Sequence, residues 1–135
     1  MAAWFRHDDE VSVDYSPAPR KCITYGPVAL AFAHGQYERR REFAAIMMSE
    51  FKEQFGRCKH FEVHSAHIHK KNELKYMPCD TKDGGVIVRT IASLAGTDYW
   101  HYMHGFHPRP QSAELFVWHN EAGPYAHFDI PARWE

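Results

Sequence analysis

Residues 36–55 read QYERRREFAAIMMSEFKEQF, and the fold assigned to the chain turns on this run. Ala44, Met47, Met48, Phe51 and Phe55 recur at steps of three and four residues, which puts them on one stripe of an α-helix. Arg39, Arg40, Glu42, Glu50 and Glu53 lie largely elsewhere on its surface. Gly56 follows the last apolar position and suits a left-handed C-terminal cap. A Met and Phe stripe at this spacing belongs to a core rather than to a cofactor box. The spacing therefore predicts one long helix over 36–55.

Extended segments flank it. Val28, Leu30 and Phe32 share one face of a strand near 27–33, and a second strand is expected over 59–69. A strand, a helix and another strand predict a right-handed crossover with the two strands parallel. Further on, KDGG at 82–85 signals a hairpin turn, followed by VIVRT, whose β-branching favours a strand over the helical stripe that Ile87, Ile91 and Leu94 would also fit. YWHYMHGF at 99–106 reads as a strand ended by HPRP. The last hairpin, AELFVWH–NEAG–PYAHFDI, pairs best with residue 119 opposite 124. Val117 then meets Ala126, Leu115 meets Phe128 and Ala113 meets Ile130 on an apolar face expected to be buried. Trp118 with Tyr125, Phe116 with His127 and Glu114 with Asp129 form the other face.

The sum is a single α+β domain over 21–135 behind a peripheral, proline-containing arm over 1–20. The expected architecture is a mostly antiparallel sheet of five or six strands with one long helix packed on a face, of a ferredoxin-like or dimeric α+β barrel-like kind. The chain has 135 residues, enough for one core, and a formal net charge of −1, so no overall field draws it to nucleic acid or membrane. It has no apolar run long enough to span a bilayer and no apolar leader at its start. Cys22, Cys58 and Cys79 lack paired spacing and are read as reduced thiols in a cytoplasmic compartment.

The compositional outlier is histidine, with 11 residues, four of them in HFEVHSAHIH at 60–69. On a regular strand His67 and His69 point one way, and His60 and His64 the other. Two imidazoles roughly 6–7 Å apart at the backbone make a metal clamp. A third ligand would come from another strand, with His101 and His127 as candidates beside Glu114, Asp129 and His119. Three protein ligands with an open position suit catalytic Zn²⁺; two histidines and a carboxylate suit Fe²⁺. AHIH at 66–69 resembles, over four residues, the histidine–hydrophobe–histidine motif of rolling-circle replication and relaxase nucleases, in which it would be the metal-holding strand. Those nucleases also use a tyrosine on a later helix, often with a lysine one turn away, and Tyr99 and Tyr102 have no such lysine.

The last hairpin brings Glu114, Asp129 and His127 to one face, where paired carboxylates raise one pKa and a neighbouring histidine relays a proton. Solvated residues on an exposed face are the simpler account of the same pattern. The expectation is a metal-dependent hydrolase of a small molecule or phosphoester, with Glu114 or Asp129 as general base and a divalent transition metal, Zn or Fe, on His67 and His69. The competing expectation is a non-catalytic binding or inhibitor protein, of the phage-encoded kind, that grips a protein or nucleic acid through aromatic and histidine side chains. A homodimer through an open sheet edge is compatible with either.

Overall fold

The computed structural model describes residues 3–66, 81–83, 85–92, 94, 96, 99–105 and 111–132. Its strands are β1 (Arg20–Tyr25), β2 (Val28–Ala33), β3 (His60–Ser65), β4 (Thr81–Asp83), β5 (Val86–Thr90), β6 (Ser112–His119) and β7 (Gly123–Pro131). Its helices are α1 (Phe43–Glu50), α2 (Lys52–Arg57) and α3 (Tyr99–Met103), with a single 3₁₀ turn at Arg40–Glu42 leading into α1. Five strands form one sheet in the order β1-β2-β3-β5-β4, and β6 and β7 form a separate two-stranded ribbon.

This overturns the expected mostly antiparallel sheet and, with it, the ferredoxin-like and barrel-like variants. The two central joins, β2 with β3 and β3 with β5, are parallel, and only the edge strands β1 and β4 run antiparallel to their neighbours. The parallel pairing of β2 and β3 across a helical crossover follows the strand–helix–strand order of the sequence. The last hairpin does not join the sheet but lies over one of its faces.

The long helix is also absent. Residues 36–39 have no helical backbone, and the helical run is broken at Phe51, with φ −111° and ψ 45°. Tertiary partners override the local periodicity. Arg20 on β1 takes Glu38 at 2.7 Å and Glu50 at 2.7 Å, pinning the chain before α1 and at its end. The break at Phe51 lets Phe51 and Phe55 both lean on the core, where the Phe55 ring lies 5.3 Å from that of Phe61. Gly56 is therefore inside α2, not a cap, and α2 ends at Cys58 with extended backbone. Residues 99–103 form α3 rather than a strand: His104 Nδ1 meets the Trp100 carbonyl at 2.8 Å and the two rings stack at 4.1 Å, a pair one helical turn apart.

The sheet is covered on both sides. On one side Ala29, Ala31, Phe61, Val63, Val86 and Val88 pack against Phe43, Ala44 and Met47, and the small alanines of β2 admit the helix closely. On the other side lie Leu30, Glu62, His64, Ile87 and Arg89, in register across β2, β3 and β5. β3 is consequently buried along nearly its whole length, as a central parallel strand is.

The ribbon keeps the expected register from Ala113–Ile130 to Val117–Ala126. A bulge at Val117/Trp118 then sets Trp118 opposite Pro124 and His119 opposite Gly123, not 124 as expected. Its facing is the reverse of the expected one. Leu115 and Phe128 are 51% and 52% exposed, while Glu114, Phe116 and Trp118 turn toward the sheet. The sheet face beneath is rich in polar groups, and these are matched by rings and a carboxylate, not by aliphatic side chains. The ribbon's turn sits against two others. A Cβ at Gly26 (φ +52°) would run into the Asn120 backbone, and one at Gly123 (φ +88°) into the His60 ring. No described helix is long and apolar enough to cross a membrane.

Two contrasts check this packing by urea unfolding. Gly123→Ala loses about 1–3 kcal/mol, since it adds both a strained φ and a collision, whereas Gly56→Ala, inside α2 with open space around it, gains about 0.5–1 kcal/mol. Phe116→Ala costs about 3 kcal/mol and Leu115→Ala about 1 kcal/mol or less, the reverse of what a buried aliphatic face demands.

Candidate functional site

β2, β3 and β5 run in the same direction, so their carboxyl ends, Ala33, Ser65 and Thr90, line up in register. In open sheets with parallel strands, ligands gather at such ends. The polar side chains of this protein gather there too, between the sheet and the ribbon.

Glu62 is the centre of the group. Strand alternation puts it on the ribbon side of β3, two residues before His64, and Arg89 is the neighbour of His64 across β5. Glu62 is fully buried. Its Oε2 accepts from Arg89 Nε at 2.8 Å and from His64 Nε2 at 3.1 Å, and Oε1 lies 3.4 Å from Arg89 Nη2. Burial alone pushes the carboxyl pKa up, but hydrogen bonds from His64 and Arg89, reinforced by the arginine charge, outweigh it and hold Glu62 down to about 2. A carboxylate only accepts, so Nε2 of His64 carries the proton and, in the neutral ring, Nδ1 does not. The His64 ring is walled by Phe32 at 5.6 Å, by Phe116 edge-on at 4.7 Å and by Trp118 at 6.0 Å. The Arg89 guanidinium lies 5.0 Å from the Phe116 centroid, within cation–π range.

A second imidazole–carboxylate pair stands on the ribbon. His127 Nε2 meets Glu114 Oε2 at 2.9 Å, and the other Glu114 oxygen accepts the Ala92 backbone N–H at 2.7 Å. Glu114 is thereby fixed at both oxygens, with its side chain 9% exposed against 35% for His127. The His127 ring stacks on Phe116 at 4.4 Å and 14°, as their cross-strand pairing dictates. Phe116 is thus in ring contact with both imidazoles.

Two clefts open around this group. The narrower, of about 200 Å³, is lined by Glu62, Arg89, Phe116, Trp118, Tyr125 and His127 among others. The wider, of about 540 Å³, lies at the carboxyl ends of the parallel strands, where Phe32, His34, His64, Ser65, Ala66 and Ile91 line it.

Of the residues singled out from the sequence, Glu114 and His127 are brought together. Asp129 pairs with Glu114 across the ribbon but is exposed, and the Glu114 oxygens go to Ala92 and His127. His101 belongs to α3 and not to a strand beside the expected clamp. His67, His69 and Cys79 lie outside the described residues. Among the described residues, no group of three or more His, Cys, Asp or Glu is arranged to hold a metal ion. Cys22 and Cys58 are half-buried thiols; burial, with Cys58 nearby, pushes Cys22 up to about 11, which leaves it a poor nucleophile.

Glu62 and Arg89 were not singled out as site residues in the sequence, although each places a charge inside a strand, FEVHS and VIVRT. In a central parallel strand such a charge requires a buried partner of opposite sign. No family model, curated protein or solved structure matches this chain.

Glu62→Gln removes the buried carboxylate that Arg89 and His64 both donate to and costs about 3–5 kcal/mol in urea unfolding. The acid limb of the stability curve follows from the same group. Its folded pKa, about 2, lies below the ordinary value of 4.5, so its contribution is complete above pH 4.5 and is lost as pH falls toward 2. Unfolding free energy measured from pH 6 to pH 2.5 (about one measurement per half unit) declines over that window in the native protein, and the decline is shallower in Glu62→Gln.

Proposed function

We propose that the chain is a small hydrolase whose proton-transfer group is the His127–Glu114 pair. The observation that carries this is the double anchoring of Glu114, by Ala92 and by His127, beside a cleft with aromatic walls. Glu114 accepts from Nε2 and so orients the imidazole, while Phe116 fixes the plane of the ring. Nδ1 is left to take a proton from an attacking water, and the resulting imidazolium is stabilised by the Glu114 carboxylate. The same nitrogen then returns the proton to the leaving group. The role that the hairpin pattern suggested for Glu114 as general base passes to His127, with Glu114 as the positioning residue. Phe116, Trp118 and Tyr125 suit the apolar part of a small ester or phosphoester.

A divalent metal, Zn²⁺ or Fe²⁺, on His67 and His69 is a separate proposal, supported by the His-x-His spacing of the sequence. Metal analysis of protein purified without a histidine tag checks it. Macromolecular binding has separate support in the outer face of the ribbon, where the pairs Leu115–Phe128 and Ala113–Ile130 are not covered by the sheet.

The test is hydrolysis of p-nitrophenyl acetate and bis(p-nitrophenyl) phosphate by the whole chain. Turnover of at least one is expected, falling about 10²–10⁴-fold in His127→Ala and tenfold or more in Glu114→Gln, with Asp129→Asn unchanged. Equal rates in the native protein and His127→Ala, or turnover of neither probe, overturn the proposal.

A further inference from the structure

The wider cleft is separate from the face that His127 presents. It lies at the carboxyl ends of β2, β3 and β5, and residues Ala18 and Pro19 of the N-terminal arm form one of its walls. Its size, about 540 Å³, is that of a small-molecule site. Phe32, Ile91 and Phe116 supply broad apolar surface on the others.

The polar side chains lining it are Lys21, His34, His64 and Ser65, and no carboxylate lines it among the described residues. Ser65 and His64 are turned to internal partners. Ser65 Oγ donates to the Arg89 carbonyl at 3.2 Å, and Nε2 of His64 is bonded to Glu62. Lys21 is the permanent cation of the wall. Its Nζ holds the arm through Asp14, 3.0 Å from Oδ2 and 3.0 Å from the carbonyl oxygen. Both side chains are open to solvent, at 31% and 60% exposure. A pair so exposed contributes little and exchanges readily.

We propose that this cleft binds an aromatic carboxylate, its ring among Phe32, Ile91 and Phe116 and its acid group on Lys21 in place of Asp14. The exchange keeps the ammonium paired, while the displaced Asp14 carboxylate, 60% exposed and still bonded to the Ser16 N–H, turns to water. A neutral ring of the same shape finds the apolar walls but leaves Lys21 with Asp14. A phosphate is a poorer match: one lysine gives no bidentate fork, and the Arg89 guanidinium is engaged by Glu62.

The experiment is calorimetric titration of the whole chain with 2-naphthoate and, separately, with 2-naphthalenemethanol, which has the same ring and no charge. One-to-one binding of 2-naphthoate is expected, about two- to fivefold tighter than the alcohol. Lys21→Met abolishes that preference while the alcohol binds as before, and His127→Gln leaves both affinities unchanged. Equal affinity for acid and alcohol, a preference that survives Lys21→Met, loss of binding in His127→Gln, or no heat from 2-naphthoate up to about 5 mM (an affinity weaker than roughly −3 kcal/mol) overturns the proposal.

Discussion

A carboxylate at the middle of the central strand is the constraint around which this protein is arranged. Glu62 sits on β3 with no exposed surface, and an isolated charge there would cost far more than any single contact returns. Arg89 from the next strand and His64 from the same strand meet it, and the three cannot separate without stranding a charge. That requirement sets the register of β3 on β5 as firmly as the apolar alternation on the helix side does. It also determines what can cover this face of the sheet.

A lid of aliphatic side chains would leave the outer edges of the guanidinium and imidazole against hydrocarbon. The ribbon instead turns in Phe116 and Trp118, which pack against the His64 ring, with the Arg89 guanidinium within cation–π range of Phe116. Its aliphatic pairs are left outside. The clefts follow from that geometry, since rings packed on polar groups at an angle fill space less completely than interdigitated aliphatics. One cleft opens beside the His127–Glu114 pair and the other beyond the strand ends, and Phe116 lines both.

Much of the secondary structure was legible in the chain. β2, the parallel crossover, the KDGG hairpin and the Phe116–His127 and Glu114–Asp129 pairings of the last ribbon all stand where period and turn chemistry put them. The errors have two causes, competition from distant partners and local ambiguity of pattern. The helix over 36–55 was broken because Arg20 captures Glu38 and Glu50 and because two phenylalanines reach the core better from a kink. YWHYMH satisfied a strand pattern as well as a helical one, and its Trp100–His104 stack exists only in the helix.

The candidate site divides in the same way. Local alternation was sufficient to place Glu114, Phe116 and His127 together, because cross-strand neighbours in a hairpin are determined by its turn. Which face of that hairpin is buried was not decided locally, since both faces are apolar enough, and the answer lay in the polar sheet it meets. The association of Glu62, His64 and Arg89 needed β5 beside β3, a pairing between segments more than twenty residues apart in the chain, as the separation of 27 residues between Glu62 and Arg89 shows. Alternation and turn chemistry are properties of neighbouring residues and are therefore written in the sequence. The pairing of buried charges and the choice of a covered face depend on which distant surfaces meet, and only the folded chain decides that.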